Sequence, residues 1–204
     1  MSLIDHEARM FFLNWLKAPR QVASVIPSSR ALSARMAAEV PKGPPGLVIE
    51  LGAGTGVVTR ALLASGVAAT DLVVVERESR MAAHLQRKFP GVQVLCEDAR
   101  RLHQRLHADG QHPRIRAVVS SLPLLAMSPE VRRDLILGIS DLLDPDTHLI
   151  QFTYGLGSPI SRRLQHRSAL TGRRVGQVWN NLPPAAVWRY ARADRQRQPA
   201  PLAA

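Results

Sequence analysis

The stretch Val48-Ile49-Glu50-Leu51-Gly52-Ala53-Gly54-Thr55-Gly56 joins an apolar run to a helix-forming one through three closely spaced glycines. Such glycines permit a tight turn and let backbone approach a ligand closely. The spacing is G-x-G-x-G, and Glu50 stands two residues ahead of the first glycine. A pyrophosphate favours a loop free of acids, whereas the Glu50 carboxylate suits a cationic ligand. Glu76 ends the next apolar run, 20 residues beyond Gly56, where an acid accepts from both hydroxyls of a ribose. Asp98 follows the third run in Cys96-Glu97-Asp98-Ala99, placed either to accept from an adenine amino group or to cap a helix. Three acids at successive run ends, around one glycine loop, describe a pocket for a nucleoside that carries positive charge. The amino group and sulfonium of S-adenosylmethionine meet that description.

Those residues need a scaffold that brings run ends together, and the rest of the pattern supplies one. Leu47–Leu51, Leu72–Glu76, Val92–Cys96 and Ala117–Ser120 read as short strands. Each is followed by a segment of helical character: Val57–Ser65, Ser79–Lys88, Arg100–His107 and Pro129–Leu143. Strands alternating with helices predict a parallel sheet covered on both faces. His148–Tyr154, Gly176–Asn180 and Ala186–Ala191 read as three further strands, with a helix at Ser158–Ser168 between the first two. The expected fold is thus α/β, with a mostly parallel seven-stranded sheet and helices on both faces. Ahead of it, residues 3–17 form an amphipathic helical pattern ended by Pro19, and a Ser of Pro27-Ser28-Ser29 caps a helix over Ala31–Val40. One domain is expected over residues 1–193, its first 40 residues a helical extension, with a disordered tail over 194–204.

Composition narrows the partners. Of 27 lysines and arginines only Lys17, Lys42 and Lys88 are lysine, and the net charge is +11. Arginine's planar fork matches phosphate oxygens, so nucleic acid and an anionic membrane surface both suit the charge; codon usage rich in G and C would produce the same bias. The single cysteine, Cys96, allows no disulfide framework and fits a reducing compartment. Acids at Asp5 and Glu7 argue against a signal peptide, and no run approaches the roughly 20 apolar residues that span a bilayer. Any membrane contact is therefore expected to be peripheral.

The loop and the three acids resemble the class I S-adenosylmethionine-dependent methyltransferases, with their Rossmann-like fold, over about residues 47–154. By that resemblance Glu50, Gly52, Ala53, Gly54, Thr55 and Gly56 line the methionine end, Glu76 with Arg77 holds the ribose, and Asp98 with Ala99 meets the adenine. Ser120 closes the cofactor pocket from the fourth strand. Amine-methylating members carry Asn/Asp/Ser-x-Pro-aromatic after that strand, and Ser121-Leu122-Pro123-Leu124 keeps the serine and proline but puts leucine where the ring belongs. Base stacking on an aromatic contributes about 1–3 kcal/mol, so its loss weighs against a nucleobase acceptor.

More of the chain joins the pattern: Phe11-Phe12-x-x-Trp15-x-x-x-Pro19, Val25-Ile26-Pro27-Ser28-Ser29, Ser120-Ser121-Leu122-Pro123 and Gln151-Phe152-Thr153-Tyr154-Gly155. Together they resemble the soluble bacterial phosphatidylethanolamine N-methyltransferases, relatives of the ribosomal RNA adenine dimethyltransferases. The resemblance implies successive methylation of phosphatidylethanolamine to phosphatidylcholine at the inner face of the cell membrane, in the cytoplasm. S-adenosylhomocysteine would be the second product, and no metal would be involved. Ser120, Ser121, Leu122 and Tyr154 become the candidates for holding the amine or its phosphate. Phe11, Phe12, Trp15 and Ser28 become a substrate lid and membrane contact, although core packing explains such a helix face equally. Anionic lipids are the expected recruiting surface and nucleic acid is not expected. An RNA adenine dimethyltransferase and a non-catalytic cofactor-binding module remain as alternatives.

Overall fold

Runs of leucine and β-branched residues become strands of one sheet in the computed structural model, which describes residues 29–107, 113–154, 157–179, 181 and 184–193. The strands are β1 (Leu47–Leu51), β2 (Leu72–Glu76), β3 (Gln93–Cys96), β4 (Ile115–Ser120), β5 (His148–Tyr154), β6 (Leu170–Val178) and β7 (Ala185–Arg192). Their order is β3-β2-β1-β4-β5-β7-β6, and only β7 runs against the others. Between them lie α1 (Arg30–Ala37), α2 (Val57–Ala64), α3 (Ser79–Lys88), α4 (Leu102–His107), α5 (Pro129–Asp141) and α6 (Arg162–Arg167). The expected mostly parallel, doubly covered sheet of seven strands is what forms.

Two apolar layers hold it. On one face Leu32, Met36, Val58, Leu62 and Leu85 of α1–α3 pack on Val48, Val74, Val119 and Ile150; on the other, Leu102, Leu135, Ile136, Ile139 and Leu164 of α4–α6 pack on Ile49, Val73, Val118 and Leu149. Each fully buried Val, Leu or Ile contributes roughly 1.5–3 kcal/mol, and central strands covered on both sides accordingly read as unbroken apolar runs. Helix starts follow local chemistry. Ser29, Ser128 and Ser161 cap α1, α5 and α6 through their hydroxyls, and Pro129 opens α5. Serine at position 29 is thus the cap anticipated from Pro27-Ser28-Ser29.

The last third departs from the expected boundaries. Strand β6 begins at Leu170 rather than Gly176, and α6 begins at Arg162 rather than Ser158. Leu170-Thr171-Gly172-Arg173-Arg174 lacks apolar periodicity because β6 is the sheet edge, where one side needs no core. A bulge between Arg174 and Gly176 shifts its register, and Gly172 lies against the Tyr190 ring where a side chain would collide. Cys96, read as part of an apolar run, is exposed at the end of β3. The amphipathic pattern over residues 3–17 and the tail over 194–204 lie outside the described residues, as do Phe11, Phe12, Trp15 and Ser28. No described helix is long and apolar enough to cross a membrane.

Candidate active site

Parallel strands in register deliver their carboxyl ends to one side of the sheet. Leu51 pairs with Val75 of β2 and with Ser120 of β4, so the glycine loop, Glu76 and Ser121 leave the sheet side by side. Gly52, Gly54 and Gly56 all take left-handed backbone, with φ of +72°, +53° and +79°. The Gly54 N–H donates to Glu76 Oε2 at 3.0 Å, and the Glu78 N–H donates to Glu76 Oε1 at 3.0 Å. Glu76 is thereby fixed against the loop with lone pairs to spare. The loop is also tied to β4: Ser121 N–H donates to the Leu51 carbonyl at 2.9 Å, and the Leu122 side chain lies over Gly52.

Glu50 is the electrostatic anomaly of the fold. Its side chain is fully buried, and neither carboxylate oxygen has a hydrogen-bond partner among the described residues. Burial pushes its pKa up to about 7, with Thr59 in α2 opposing that rise and the charge of Glu76 adding to it. Thr59 faces Glu50 without a hydrogen bond of good geometry, since its own hydroxyl is also unpartnered among the described residues. A buried carboxylate left without a partner costs several kcal/mol, so it marks a place where a cation belongs. The residues present therefore fit a ligand with the charge of S-adenosylmethionine.

Other acids serve differently. Asp98 caps the short turn at Ala99–Arg101 and forms a close ion pair with Arg100, 2.6 Å at its shortest. Arg100 holds the Asp98 carboxyl below its ordinary range. The cap anticipated for this position is therefore present, and both carboxylate oxygens of Asp98 accept from Arg100. Glu97 reaches back, its N–H donating to the Glu76 carbonyl at 3.2 Å, so the ends of β2 and β3 are joined. Arg77 is exposed beside them. Among the described residues no three His, Cys, Asp or Glu side chains gather as a metal site.

On the acceptor side, Ser120 is buried and its hydroxyl accepts from Leu122 N–H at 3.3 Å, which curls the chain after β4. The Ser121 hydroxyl is buried without a partner among the described residues. Leu124 is 2% exposed and belongs to the core, so it presents no surface to a base. Tyr154 stands half-buried at the end of β5 with its hydroxyl paired to Asn181, and burial raises its pKa, keeping it a neutral donor. Asn181 also accepts from Ser29 N–H at 3.1 Å, so the chain enters α1 at this same end of the sheet. The structure thus joins Glu50, the glycine loop, Glu76 and residues 120–122 directly, while Tyr154 contacts Asn181 instead.

Gln151, not anticipated from the sequence, anchors the acceptor loop. It is 1% exposed, and its Nε2 donates to the Leu122 carbonyl at 3.0 Å and the Phe152 carbonyl at 2.7 Å. Its signal was a lone amide in the buried run Leu149-Ile150-Gln151-Phe152. Gln151→Met keeps the volume and removes the donor. Methyl transfer should slow about tenfold while cofactor affinity stays within about twofold, since the bond lost to Leu122 is worth roughly 1–3 kcal/mol and neither bond of Gln151 reaches Glu50, Glu76 or the glycine loop. Parallel kcat and cofactor-binding measurements check this, and an equal fall in both would contradict it.

Comparisons agree with the geometry. No family model matches the chain. An ornithine lipid N-methyltransferase of Singulisphaera acidiphila is 31% identical over 147 residues, covering 71% of this chain and 76% of that protein. Among solved structures, a 1,6-didemethyltoxoflavin N1-methyltransferase of Burkholderia thailandensis superposes with TM-score 0.65 at 19% identity, covering 95% of this chain and 92% of that one. A TehB-like S-adenosylmethionine-dependent methyltransferase of Corynebacterium glutamicum gives 0.58 at 12% identity, covering 92% and 99%. The sheet order, the glycine loop with its cation-seeking carboxylate and the relative of like length converge: this chain belongs to the family of S-adenosylmethionine-dependent methyltransferases that includes ornithine lipid N-methyltransferase.

Proposed function

We propose that this protein methylates the head-group amine of phosphatidylethanolamine, successively through monomethyl and dimethyl forms to phosphatidylcholine, on the inner face of the cell membrane. The single supporting observation is the likeness to a lipid N-methyltransferase along most of both chains. The buried Leu124 is in keeping with it, because an RNA adenine would need a ring at that place. Ornithine lipid, the acceptor that the relative is named for, is the second reading on the same observation.

In this reading Glu50 and residues 52–56 hold the cationic end of the cofactor, Glu76 with Arg77 its ribose, and Asp98 with Ala99 its adenine. S-adenosylmethionine, when bound, supplies an electrophilic methyl group on its sulfonium. The chain's own contribution is orientation and exclusion of water. Carbonyls of Ser120 and Ser121 and the unpartnered Ser121 hydroxyl point the amine, with the Leu122 segment fixed by Gln151. The neutral Tyr154 hydroxyl donates to the head-group phosphate. The head-group ammonium must lose a proton first, and a desolvated pocket lowers its pKa. The part of the 1–40 extension ahead of α1 serves as lid and membrane contact, since α1 itself packs on the sheet. Deleting residues 1–18 should therefore abolish pelleting with liposomes and leave the folded core intact; unchanged pelleting contradicts that role.

The acceptor is tested by incubating the full chain with methyl-labelled cofactor, phosphatidylethanolamine vesicles, ornithine lipid vesicles and RNA in separate reactions. Label appearing in monomethyl, dimethyl and then trimethyl phosphatidylethanolamine supports the reading. Label in ornithine lipid alone moves the assignment to the second reading, label in RNA alone refutes both, and label in none indicates a non-catalytic module.

A further inference from the structure

The β6 edge of the sheet carries a charge pattern and an aromatic residue that the reaction does not use. Between Asp146 and Asp194 the chain has no carboxylate and seven arginines. One of them, Arg189, meets Glu39 at 3.5 Å, and the other six are exposed without an ion pair among the described residues. Arg173 and Arg174 lie on β6 itself, and Arg162 and Arg163 open α6, which packs against β6. Glu39, in the turn just past α1, does not offset them, because it is already bound by Arg35 at 2.7 Å as well as by Arg189.

At the end of this strand stands Trp179, 71% exposed and the one large apolar side chain exposed among the described residues. Its place is decided by topology. Strand β6 runs in the direction of β5, so Trp179 leaves the sheet at the same end as Tyr154 and the glycine loop. Asn181, two residues on, is the partner of Tyr154. An indole with an apolar body and a polar N–H suits the head-group layer of a bilayer, and unpaired arginines suit its anionic phosphates.

We propose that Trp179 and the arginine-rich β6–α6 edge form a docking surface for an anionic lipid bilayer, which sets the catalytic end of the sheet against the head-group layer. The proposal rests on the reading of the acceptor as a membrane lipid, and it places a second contact far in sequence from residues 1–18. Basic residues near an anionic surface contribute about fivefold each in affinity, and loss of an inserted indole about tenfold.

The test uses the full chain and two sets of variants, Trp179→Ser and the pair Arg173→Ser with Arg174→Ser, all at exposed positions. Binding is read by pelleting with phosphatidylcholine vesicles that contain phosphatidylglycerol, and by quenching of tryptophan emission with brominated lipid. Wild type should bind, more weakly as salt rises. Trp179→Ser should lower binding about tenfold and remove the share of quenching that Trp179 contributes beside Trp15, and the arginine pair should lower binding by more than tenfold. Both sets should keep wild-type melting temperatures and wild-type rates on lipid dispersed in neutral detergent. Variants that pellet like wild type overturn the proposal, as does RNA binding that exceeds vesicle binding at equal salt and is lost in the same variants. A protein that methylates no lipid but loses vesicle binding in these variants keeps the surface and refutes the acceptor.

Discussion

Replacing Glu50 by glutamine makes the cofactor-free protein more stable at pH 8 while destroying its affinity for the cofactor. The carboxylate is fully buried without a partner, and its pKa of about 7 lies above its ordinary 4.5. A group raised in the folded state contributes stability that is complete below its ordinary pKa and lost as pH rises through the folded value. Wild type without ligand therefore weakens between about pH 4.5 and pH 8, by up to about 3 kcal/mol for a shift of this size. Glutamine never ionises, so the variant escapes that loss. The two proteins should melt together at pH 4 and diverge by about 5–10 °C at pH 8, with the variant higher. Cofactor affinity moves the other way, by about a hundredfold or more, because a buried cation loses its counter-charge. Melting curves across pH with and without cofactor read both effects, and a variant less stable than wild type at pH 8 contradicts the account.

Two alanine substitutions in the glycine loop should separate stability from binding. Both positions need left-handed backbone, which costs a non-glycine residue about 1–2 kcal/mol. At Gly56 a Cβ would sit 2.5 Å from Phe89 Cε2 and 2.8 Å from Leu85 Cδ2, inside a packed apolar layer. Overpacking there adds about 1–3 kcal/mol, and the start of α2 is displaced as well. At Gly54 a Cβ would meet no protein atom within 4 Å. Gly54→Ala should therefore cost only the backbone strain, yet its methyl fills the space from which a ligand approaches Glu76 and the loop. The expected result is a folded protein with about a hundredfold weaker cofactor binding, against a Gly56→Ala protein lowered in melting temperature by about 5–15 °C. Equal melting temperatures for the two variants would show that Gly56 is not packed as described.

The glycine loop and its acids were legible because spacing alone carries them. Three glycines must bend the chain, and acids at run ends stand out from the valines before them. The parallel core was equally legible, since strands buried on both faces cannot hide polar residues. Where burial is one-sided the signal failed: β6 is an edge strand with arginines and glycines, and its first six residues resemble a loop. Gln151 and Thr59 were invisible for a different reason. Gln151 is one polar residue in an apolar run, and Thr59 is one half of a Thr-Arg pair in an ordinary helical pattern. Only the fold shows that Gln151 reaches the Leu122 carbonyl and that Thr59 faces Glu50. Asp98 allowed both of its readings from sequence, and the cap is the one that local hydrogen bonds display.

Proton release on cofactor binding tests the buried cation site most directly. At pH 6 the Glu50 carboxyl of the ligand-free protein is mostly protonated, and a cation seated against it drives that proton off. Calorimetric titration with S-adenosylmethionine, repeated in buffers of different ionisation enthalpy, counts the protons released. The account predicts close to one proton per cofactor at pH 6, falling toward none at pH 8.5, and none at either pH in Glu50→Gln. Tight binding with no proton released at pH 6 would contradict it.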